Sequence, residues 1–270
     1  MKITFGLVIY NEESFIRRCL DSIKDVADEI LIVHDGNCLD ETLDIAKDYT
    51  DMIFIREYLG GSDPHRLFIL KKARNDLVFM IDADEFLSFE LKAALPTLDL
   101  SGCSVGAFKW PMWDGDAYIT STNYKPCLFK KQDCWAIALH NFPIRTNKKI
   151  CNFEYMLEHK PKEANVGFRL FFGKLDARIS RDAKRFVLGY DVLEKYNEYL
   201  IPRSFKKWFQ NYLKYPLFYA YLNLFKHFFG SYKNLYKNGR IGLILSMQLA
   251  FYQYKLGLNI WKIQRKLKSH

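Results

Sequence analysis

The residues best suited to chemistry follow the apolar run "LVFMI" at positions 77–81. They are Asp82, Asp84 and Glu85, and three carboxylates this close repel one another unless a positive charge lies between them. A D-x-D pair at a strand end sends both carboxylates to one side, because side chains alternate with period two. Mg²⁺ and Mn²⁺ prefer such oxygen ligands and keep positions open for phosphate oxygens. The pattern predicts either a divalent-metal site or a solvated strand end.

The first half of the chain alternates between apolar runs and segments of helical spacing, which predicts a mostly parallel α/β sheet flanked by helices. The spacing predicts strands at 3–9, 29–35, 52–55 and 77–82, and helices at 12–23, 40–49 and 64–73. The clusters "YNEE", "HDGN" and "DADE" each follow a strand. Because ligands of such sheets bind beyond the carboxyl ends of the strands, we expect the three clusters to meet at one edge. Neither a GxGxxG nor a GxxxxGK[ST] motif is present to indicate a Rossmann or P-loop site.

The net charge of +9 is distributed unevenly. Residues 203–270 contain 13 Lys and Arg, no Asp or Glu, and 17 of the 44 aromatic residues. The uncharged run 241–254 is shorter than the ~20 residues of a spanning helix. Basic residues interleaved with aromatic and aliphatic ones predict helices that lie on an anionic membrane surface. Amphipathic core helices are one alternative and a nucleic-acid surface is another, although the aliphatic neighbours of the rings argue against nucleic acid.

The six cysteines form no CxxC pair and no Cys/His zinc spacing. This pattern predicts a reduced, cytosolic chain without a disulfide framework. The segment "MKITFGLVIYNEE" also lacks the basic and long apolar regions of a signal peptide.

Three motifs together resemble the family 2 glycosyltransferases, nucleotide-sugar enzymes of the GT-A fold. They are "LVIYNEE", "IVHDGNCLDET" and "FMIDADEF", and both their order and their spacing match. The stretch "YKPCLFKKQDCWAIALH" and the triplet "LEH" at 157–159 extend the similarity. The tail resembles the carboxyl-terminal helices of members that build the inner core of lipopolysaccharide or lipooligosaccharide, including the group that adds glucose to a heptose. The resemblance implies a GT-A-like fold with a basic, aromatic helical region at its carboxyl end.

The resemblance implies a nucleotide pocket. Tyr10 would stack on or border the base, Asn11 and Glu12 would shape the pocket, and Asp35 would accept a hydrogen bond from the base. Arg66 would face the diphosphate, for which a planar, bidentate cation is well suited.

The resemblance also implies a site for Mg²⁺ or Mn²⁺ in the segment "DADE". Asp82 would lie near the ribose and the metal, Ala83 would belong to the same donor-binding turn, and Asp84 would ligate the metal directly. His140 and His159 are further candidates for the metal or diphosphate region, and a structural role is the alternative for each.

The catalytic base stays open, because the family's H-E is here His140 followed by Asn141 and the Arg of its R-L-F is Cys127. Inverting transfer needs a base on the acceptor side of the sugar. The loop "KWPMWDGDAY" and the D-x-D segment supply three candidates, namely Asp116, Asp114 and Glu85. Alternatively, the two Asp residues of the loop cap a turn around Gly115.

These observations predict a glycosyltransferase domain at 1–175, with a nucleotide-sugar half at 1–100 and an acceptor half at 101–175, followed by a helical, membrane-associating region at 176–270. The expected activity is metal-dependent, inverting transfer of a hexose from a nucleotide sugar, with UDP favoured, to a lipid-linked saccharide at the cytoplasmic face of the membrane. Alternatives are a capsule, exopolysaccharide or protein acceptor, and a protein that binds nucleotide sugars without turnover.

Overall fold

The computed structural model describes residues 1–59, 61–119, 123–136, 144–146, 148–162, 175–176, 179–180, 183 and 216–268. The chain divides into two compact units. The first contains the described residues of Met1–Pro111, Asn123–Ala136 and Asn141–Lys162, and the second contains those of Met112–Thr122 and Glu163–His270. Since residues 163–174 lie outside the described part, the predicted boundary at 175 stays a prediction.

Helices and strands alternate through the first part of the chain. The described helices are α1 (Glu13–Ile23), α2 (Thr42–Lys47), α3 (Asp63–Lys72), α4 (Phe89–Ala94), α5 (Pro216–Leu235) and α6 (Gly239–Lys268). The described strands are β1 (Ile3–Ile9), β2 (Glu29–Asp35), β3 (Ile53–Arg56), β4 (Leu77–Met80), β5 (Glu85–Leu87), β6 (Val105–Lys109), β7 (Met112–Trp113), β8 (Tyr118–Ile119), β9 (Tyr124–Lys130), β10 (Trp135–Ala136), β11 (Ile144–Arg145) and β12 (Ile150–His159).

The first unit is built on an eight-stranded mixed sheet in the order β3-β2-β1-β4-β9-β6-β12-β5. Strands β3, β2, β1 and β4 pair in parallel, as the alternating sequence pattern predicts. Strand β9 is antiparallel to both β4 and β6, and β12 is parallel to β6. As a result, β1, β2, β4, β6 and β12 all end at the same edge of the sheet, where β9 begins.

Strands β1, β2 and β4 are buried, as continuous apolar runs predict. Phe5, Phe79, Phe108 and Phe153 form a row of stacked rings across the sheet, with centroids 5.0 to 5.6 Å apart. Helix α1 covers the sheet with apolar residues at helical spacing, namely Ile16, Cys19, Leu20 and Ile23. Helix α3 approaches closely over Gly6, where a Cβ atom would lie 2.3 Å from the Ile69 side chain.

The predicted elements of the first 80 residues are found within a few residues of their expected bounds. The difference that matters for the site is at the last strand, since β4 ends at Met80 rather than at Asp82. Asp82 and Asp84 therefore lie in the turn between β4 and β5, and the alternation of strand side chains does not determine where their carboxylates point.

One expectation about the cysteines is wrong, because Cys103 and Cys151 form a disulfide with Cα atoms 5.9 Å apart. Cys103 lies two residues before β6, and Cys151 of the neighbouring strand β12 pairs with Gly106 of β6. This contact between residues 48 positions apart depends on strand pairing and leaves no local spacing motif. The other four cysteines are free.

The second unit contains the β7–β8 hairpin and the helices α5 and α6. Ile119 and Met112 of the hairpin pack against Leu235 and Leu245. None of the helices in the described residues has the length and apolarity needed to cross a membrane.

Candidate functional site

The predicted site residues of the first unit gather at the edge where β1, β2, β4, β6 and β12 end. Tyr10, Asn11 and Glu12 follow β1, and Asp35 ends β2. The Asp82–Glu85 turn follows β4, Trp110 follows β6, and His159 ends β12. The convergence predicted from the sequence is therefore present, and it includes strands of the second half of the sheet.

Asn11 joins the loops that follow β1 and β2. Its backbone adopts φ +52°, a left-handed conformation that Asn tolerates better than most residues. Its side-chain oxygen accepts a hydrogen bond from the Leu39 N–H at 2.9 Å, and its own N–H points to His34 Nε2 at 3.4 Å. Tyr10 is left exposed beside Tyr58, with ring centroids 5.0 Å apart. The two rings form an exposed aromatic surface in the loops that follow β1 and β3.

Glu12, which follows β1, lies close enough to the acidic turn to be repelled by its carboxylates. Burial raises the pKa of its carboxyl group to about 7, and repulsion from Asp84, Asp82 and Asp40 adds to the rise. A cation at the site would relieve this repulsion. The donor set of carboxylate oxygens is the type that hard divalent metals take.

Asp35 holds the loop after β3. Its carboxylate accepts hydrogen bonds from the backbone N–H groups of Leu59 and Gly61 and from His65 Nε2, at 2.6 to 2.8 Å. Burial opposes its charge, but these three donors keep its pKa below the usual range. With 2% of its surface exposed, Asp35 organises the loop that carries Tyr58. Its predicted contact with a base stays a prediction, and in this conformation the loop would have to move for that contact to form.

Asp82 is held by two cations. Arg66 of α3 donates to Oδ1 and Lys125 of β9 donates to Oδ2, both at 2.6 Å. Burial disfavours the charged carboxylate, yet Lys125 and Arg66 outweigh this effect and lower the pKa of Asp82. Arg66 therefore lies at the D-x-D turn, and the diphosphate contact that the family resemblance implies for it stays a prediction.

Glu85 is fully buried and binds the protein on three sides. Lys125 Nζ lies 2.5 Å from its Oε1, Trp110 Nε1 donates to Oε1 at 2.7 Å, and the Asp82 N–H donates to Oε2 at 3.0 Å. Burial raises the pKa of Glu85, with Lys125 opposing and Asp82 adding to the rise. These contacts and an exposure of 0% fit a group that supports the turn better than a base that meets an acceptor.

Asp84 and His159 face each other on the other side of the turn. His159 Nε2 lies 3.2 Å from Asp84 Oδ2, and the imidazole stacks on Trp110 with centroids 4.4 Å apart. The Lys160 N–H donates to the Asp84 carbonyl at 3.0 Å, which fixes the backbone of the turn to the end of β12. Within the described ranges, no three His, Cys, Asp or Glu side chains form a complete metal cage. Asp84 and His159 could thus supply part of a coordination sphere that phosphate oxygens complete.

The remaining base candidates lie in the second unit. Asp114 accepts hydrogen bonds from the backbone N–H groups of Asp116 and Ala117, at 2.9 and 2.8 Å. Asp114 therefore caps the turn around Gly115, whose φ is +114°. Asp116 is exposed. His140 and Asn141 lie outside the described residues, so their predicted relation to the metal stays a prediction.

Sequence reasoning missed three residues of the edge, namely Lys125, Trp110 and His65. Lys125 reaches the edge because β9 is antiparallel and begins there, a direction that the sequence pattern does not reveal. Its signal would be a lysine directly before Pro126 and the apolar residues Cys127–Phe129.

Comparison with known proteins gives the class of this α/β chain. Residues 4–158, more than half of the chain, match the family described as Glycosyl transferase family 2. The chain therefore belongs to the family 2 glycosyltransferases. Its fold is similar to that of a mannosyltransferase from Pyrobaculum calidifontis solved with GDP-Man and Mn²⁺, with a TM-score of 0.51 and 18% identity over 97% of this chain and 87% of that one. The predicted GT-A-like fold is confirmed.

Two curated relatives match a shorter part of the chain. The SPbeta prophage-derived glycosyltransferase SunS of Bacillus subtilis is 35% identical over 95 residues, which cover 34% of this chain and 22% of that protein. An uncharacterized glycosyltransferase of Rickettsia typhi is 36% identical over 91 residues, which cover 34% of this chain and 30% of the relative. The chain thus spans less than a third of the length of either relative.

Proposed function

We propose that this chain transfers a hexosyl group, with inversion, from a nucleoside diphosphate sugar to a hydroxyl group of a lipid-linked saccharide. The observation that carries the proposal is the Asp82–Glu85 turn, where one carboxylate is bound to Arg66 and the next faces His159. This turn combines a cation for phosphate with oxygen and nitrogen ligands for a divalent metal. We favour a uridine donor because of the sequence resemblance.

The proposed reaction is a single displacement at the anomeric carbon of the donor. The acceptor oxygen forms a bond to this carbon while the bond from the carbon to the diphosphate oxygen breaks. The electron pair of the broken bond leaves with the diphosphate, and the acceptor proton passes to a base. Arg66 would bind and orient the diphosphate, and Tyr10 would border the base. Asp116 is the base we prefer among the exposed carboxylates of the β7–β8 turn.

The residues at the edge fit a divalent metal. Asp84 and His159 would hold it, and the repulsion from Asp84 and Asp82 that adds to the raised pKa of Glu12 supports a cation at this position. Bound Mg²⁺ or Mn²⁺ would neutralise the charge that develops on the leaving diphosphate. Glu12 and Asp82 would then add negative potential around the cation without needing to contact it.

Thermal shift and product release with a donor panel test this proposal. UDP-, GDP- and dTDP-sugars, each with Mn²⁺, Mg²⁺ or chelator, should include one class that raises the melting temperature only with metal, because binding to the native state stabilises it. Slow, metal-dependent release of the nucleoside diphosphate, absent from Asp84→Ala, identifies an enzyme. Binding without release identifies a nucleotide-sugar-binding protein, and folded protein that responds to no donor contradicts the proposal.

We further propose that helix α5 brings the chain to the cytoplasmic face of an anionic membrane, where a lipopolysaccharide or lipooligosaccharide core precursor is the acceptor we favour. Large apolar side chains are exposed along α5 at helical spacing, at Phe218, Tyr221, Leu222, Phe225, Phe229 and Tyr232. Lys226 and Lys233 belong to the same helix, and the tail has no acidic residue. Rings that enter the acyl boundary while lysines meet phosphate suit this composition.

Vesicle flotation tests the membrane proposal in the full chain. The variant Phe225→Ser/Phe229→Ser removes two rings that are 58% and 64% exposed, and Phe89→Ser removes a ring of the first unit that is 83% exposed. Wild type and Phe89→Ser should float with phosphatidylglycerol vesicles, and the α5 variant should stay at the bottom of the gradient. Equal flotation of all three proteins would show that α5 does not bind the membrane.

A further inference from the structure

Lys125 places a buried ammonium group inside the acidic turn. Its side chain is bonded to Asp82 at 2.6 Å and to Glu85 at 2.5 Å, and Lys125 is only 6% exposed. Burial opposes its charge, but Asp82 and Glu85 raise the pKa of the ammonium group above its usual range. The group is therefore a permanent cation shared by two of the three carboxylates of the turn.

Asp84 has a different environment from its two neighbours. In the described part of the chain, no Lys or Arg side chain forms an ion pair with Asp84, and its carboxylate faces His159. A divalent cation that enters the turn meets two kinds of carboxylate. Asp82 and Glu85 are already bridged by a cation, whereas Asp84 offers oxygen without having to displace one.

The strand geometry explains how a lysine comes to lie here. Pairing of β9 with β4 stops at Leu128, and the register of β9 with β6 shifts between Leu128 and Pro126. A bulge of this kind bends a strand and redirects the side chains beside it. The Lys125 side chain follows this irregularity and reaches the turn after β4.

We propose that Lys125 is a positioning residue whose ammonium group keeps divalent metal out of the space between Asp82 and Glu85. Asp84 is then the carboxylate that remains for the metal of the donor complex. Two carboxylates that share one ammonium group at these distances would present convergent oxygens to a metal if the ammonium were removed. The role of Lys125 in the donor complex rests on the proposed function. Its effect on where the metal binds in the chain without nucleotide can be measured separately.

Thermal melting against Mn²⁺ concentration, without nucleotide, tests this proposal. Lys125→Met should melt below wild type in chelator, because Glu85 loses its cation while buried. Saturating Mn²⁺ should then raise its melting temperature by about 5 °C more than that of wild type, since the metal occupies the vacated position. Mn²⁺ binding followed by electron paramagnetic resonance should show one additional bound ion in this variant.

Three further proteins separate this role from simple support of the fold. Lys125→Arg keeps a cation and should respond to Mn²⁺ as wild type does. Glu85→Gln/Lys125→Met removes a carboxylate of the new metal position and should lose the additional Mn²⁺ response. Lys109→Met removes a half-buried lysine that pairs with Glu154, and its response to Mn²⁺ should match that of wild type.

The proposal is overturned if Lys125→Met responds to Mn²⁺ as wild type does, or if it shows no cooperative transition even in saturating Mn²⁺. Donor binding to wild type is scored on its own. Wild type that binds no nucleotide sugar contradicts the proposed function and leaves the Mn²⁺ result for Lys125 intact. Donor binding by wild type together with an unchanged Mn²⁺ response in Lys125→Met contradicts only the inference about Lys125.

Discussion

The chain contains the D-x-D spacing twice, and the two copies use their carboxylates differently. In the first unit, Asp82 binds Arg66 and Lys125, and Asp84 faces His159, so each carboxylate meets side chains from other elements. In the second unit, Asp114 binds the backbone N–H groups of its own turn. The same spacing therefore forms a convergent polar site in one place and a turn cap in the other.

The difference comes from the elements around each copy. The first copy lies at a sheet edge where several strands end, so cations and imidazole from distant positions reach it. The second copy connects the two short strands of a hairpin, and its nearest donors are its own amides. Carboxylate spacing alone therefore does not define a metal site. Substitutions in the first copy should lower donor turnover, whereas loss of the Asp114 carboxylate in the second copy should lower only stability.

The largest effect is expected for Asp84→Ala. If Asp84 holds the metal, donor turnover should fall by about 10³-fold, because charge on the leaving group is no longer neutralised. The metal-dependent thermal shift with donor should also disappear. Asp51→Ala, at an exposed position before β3, is the matched control. Normal turnover by Asp84→Ala would move the metal away from the first D-x-D copy.

Asp116→Asn should slow transfer to the acceptor without changing donor binding. Loss of a general base should slow transfer to the acceptor by about 10²-fold while leaving the donor-induced thermal shift unchanged. Steady-state transfer and donor thermal shift, measured side by side with Asp114→Asn, give the comparison. Unchanged transfer by Asp116→Asn would exclude it as the base.

Glu12→Gln should remove a dependence of stability on pH that originates at the first copy. The pKa of Glu12 is about 7 in the folded chain, against an ordinary value of 4.5. Between these values the folded chain holds a proton that the unfolded chain has released, so the free energy of unfolding falls as pH rises. Because solvent screens this partly exposed group, the fall should be well below the roughly 3 kcal/mol that the full shift would give. Urea unfolding in chelator should show this fall in wild type and not in Glu12→Gln. Equal pH profiles would mean that burial and the neighbouring carboxylates do not raise the pKa of Glu12.

The alternation of the first 80 residues was predictable because buried parallel strands are continuous apolar runs and amphipathic helices repeat every three to four residues. That pattern also predicted the gathering of Tyr10, Asp35 and Asp82, since parallel strands carry the residues that follow them to one edge. The placement of His159 beside Asp84 required β12 to run parallel to β6, and only the family resemblance pointed to this histidine.

Other features depended on pairings that no local pattern encodes. Lys125 reaches the edge through an antiparallel strand with an irregular register, and Cys103 meets Cys151 across two strands that are distant in sequence. The sequence allows either a base or a turn cap at Asp114, because a short polar loop with one glycine fits both. In the structure, backbone amides satisfy the Asp114 carboxylate.

The smallest effect is expected for Asp114→Ala. The N–H groups of Ala117 and Asp116 lower the pKa of Asp114, which shows that they stabilise its charged form. The turn is exposed, so water can replace this acceptor once the side chain is removed. The melting temperature should therefore fall by only about 2 °C. Asp114→Asn keeps an acceptor oxygen and should recover the difference. Donor turnover should stay at the wild-type level in both variants; a loss of transfer by Asp114→Ala, with Asp116→Asn fully active, would instead assign the base to Asp114 and give the second D-x-D copy a chemical role.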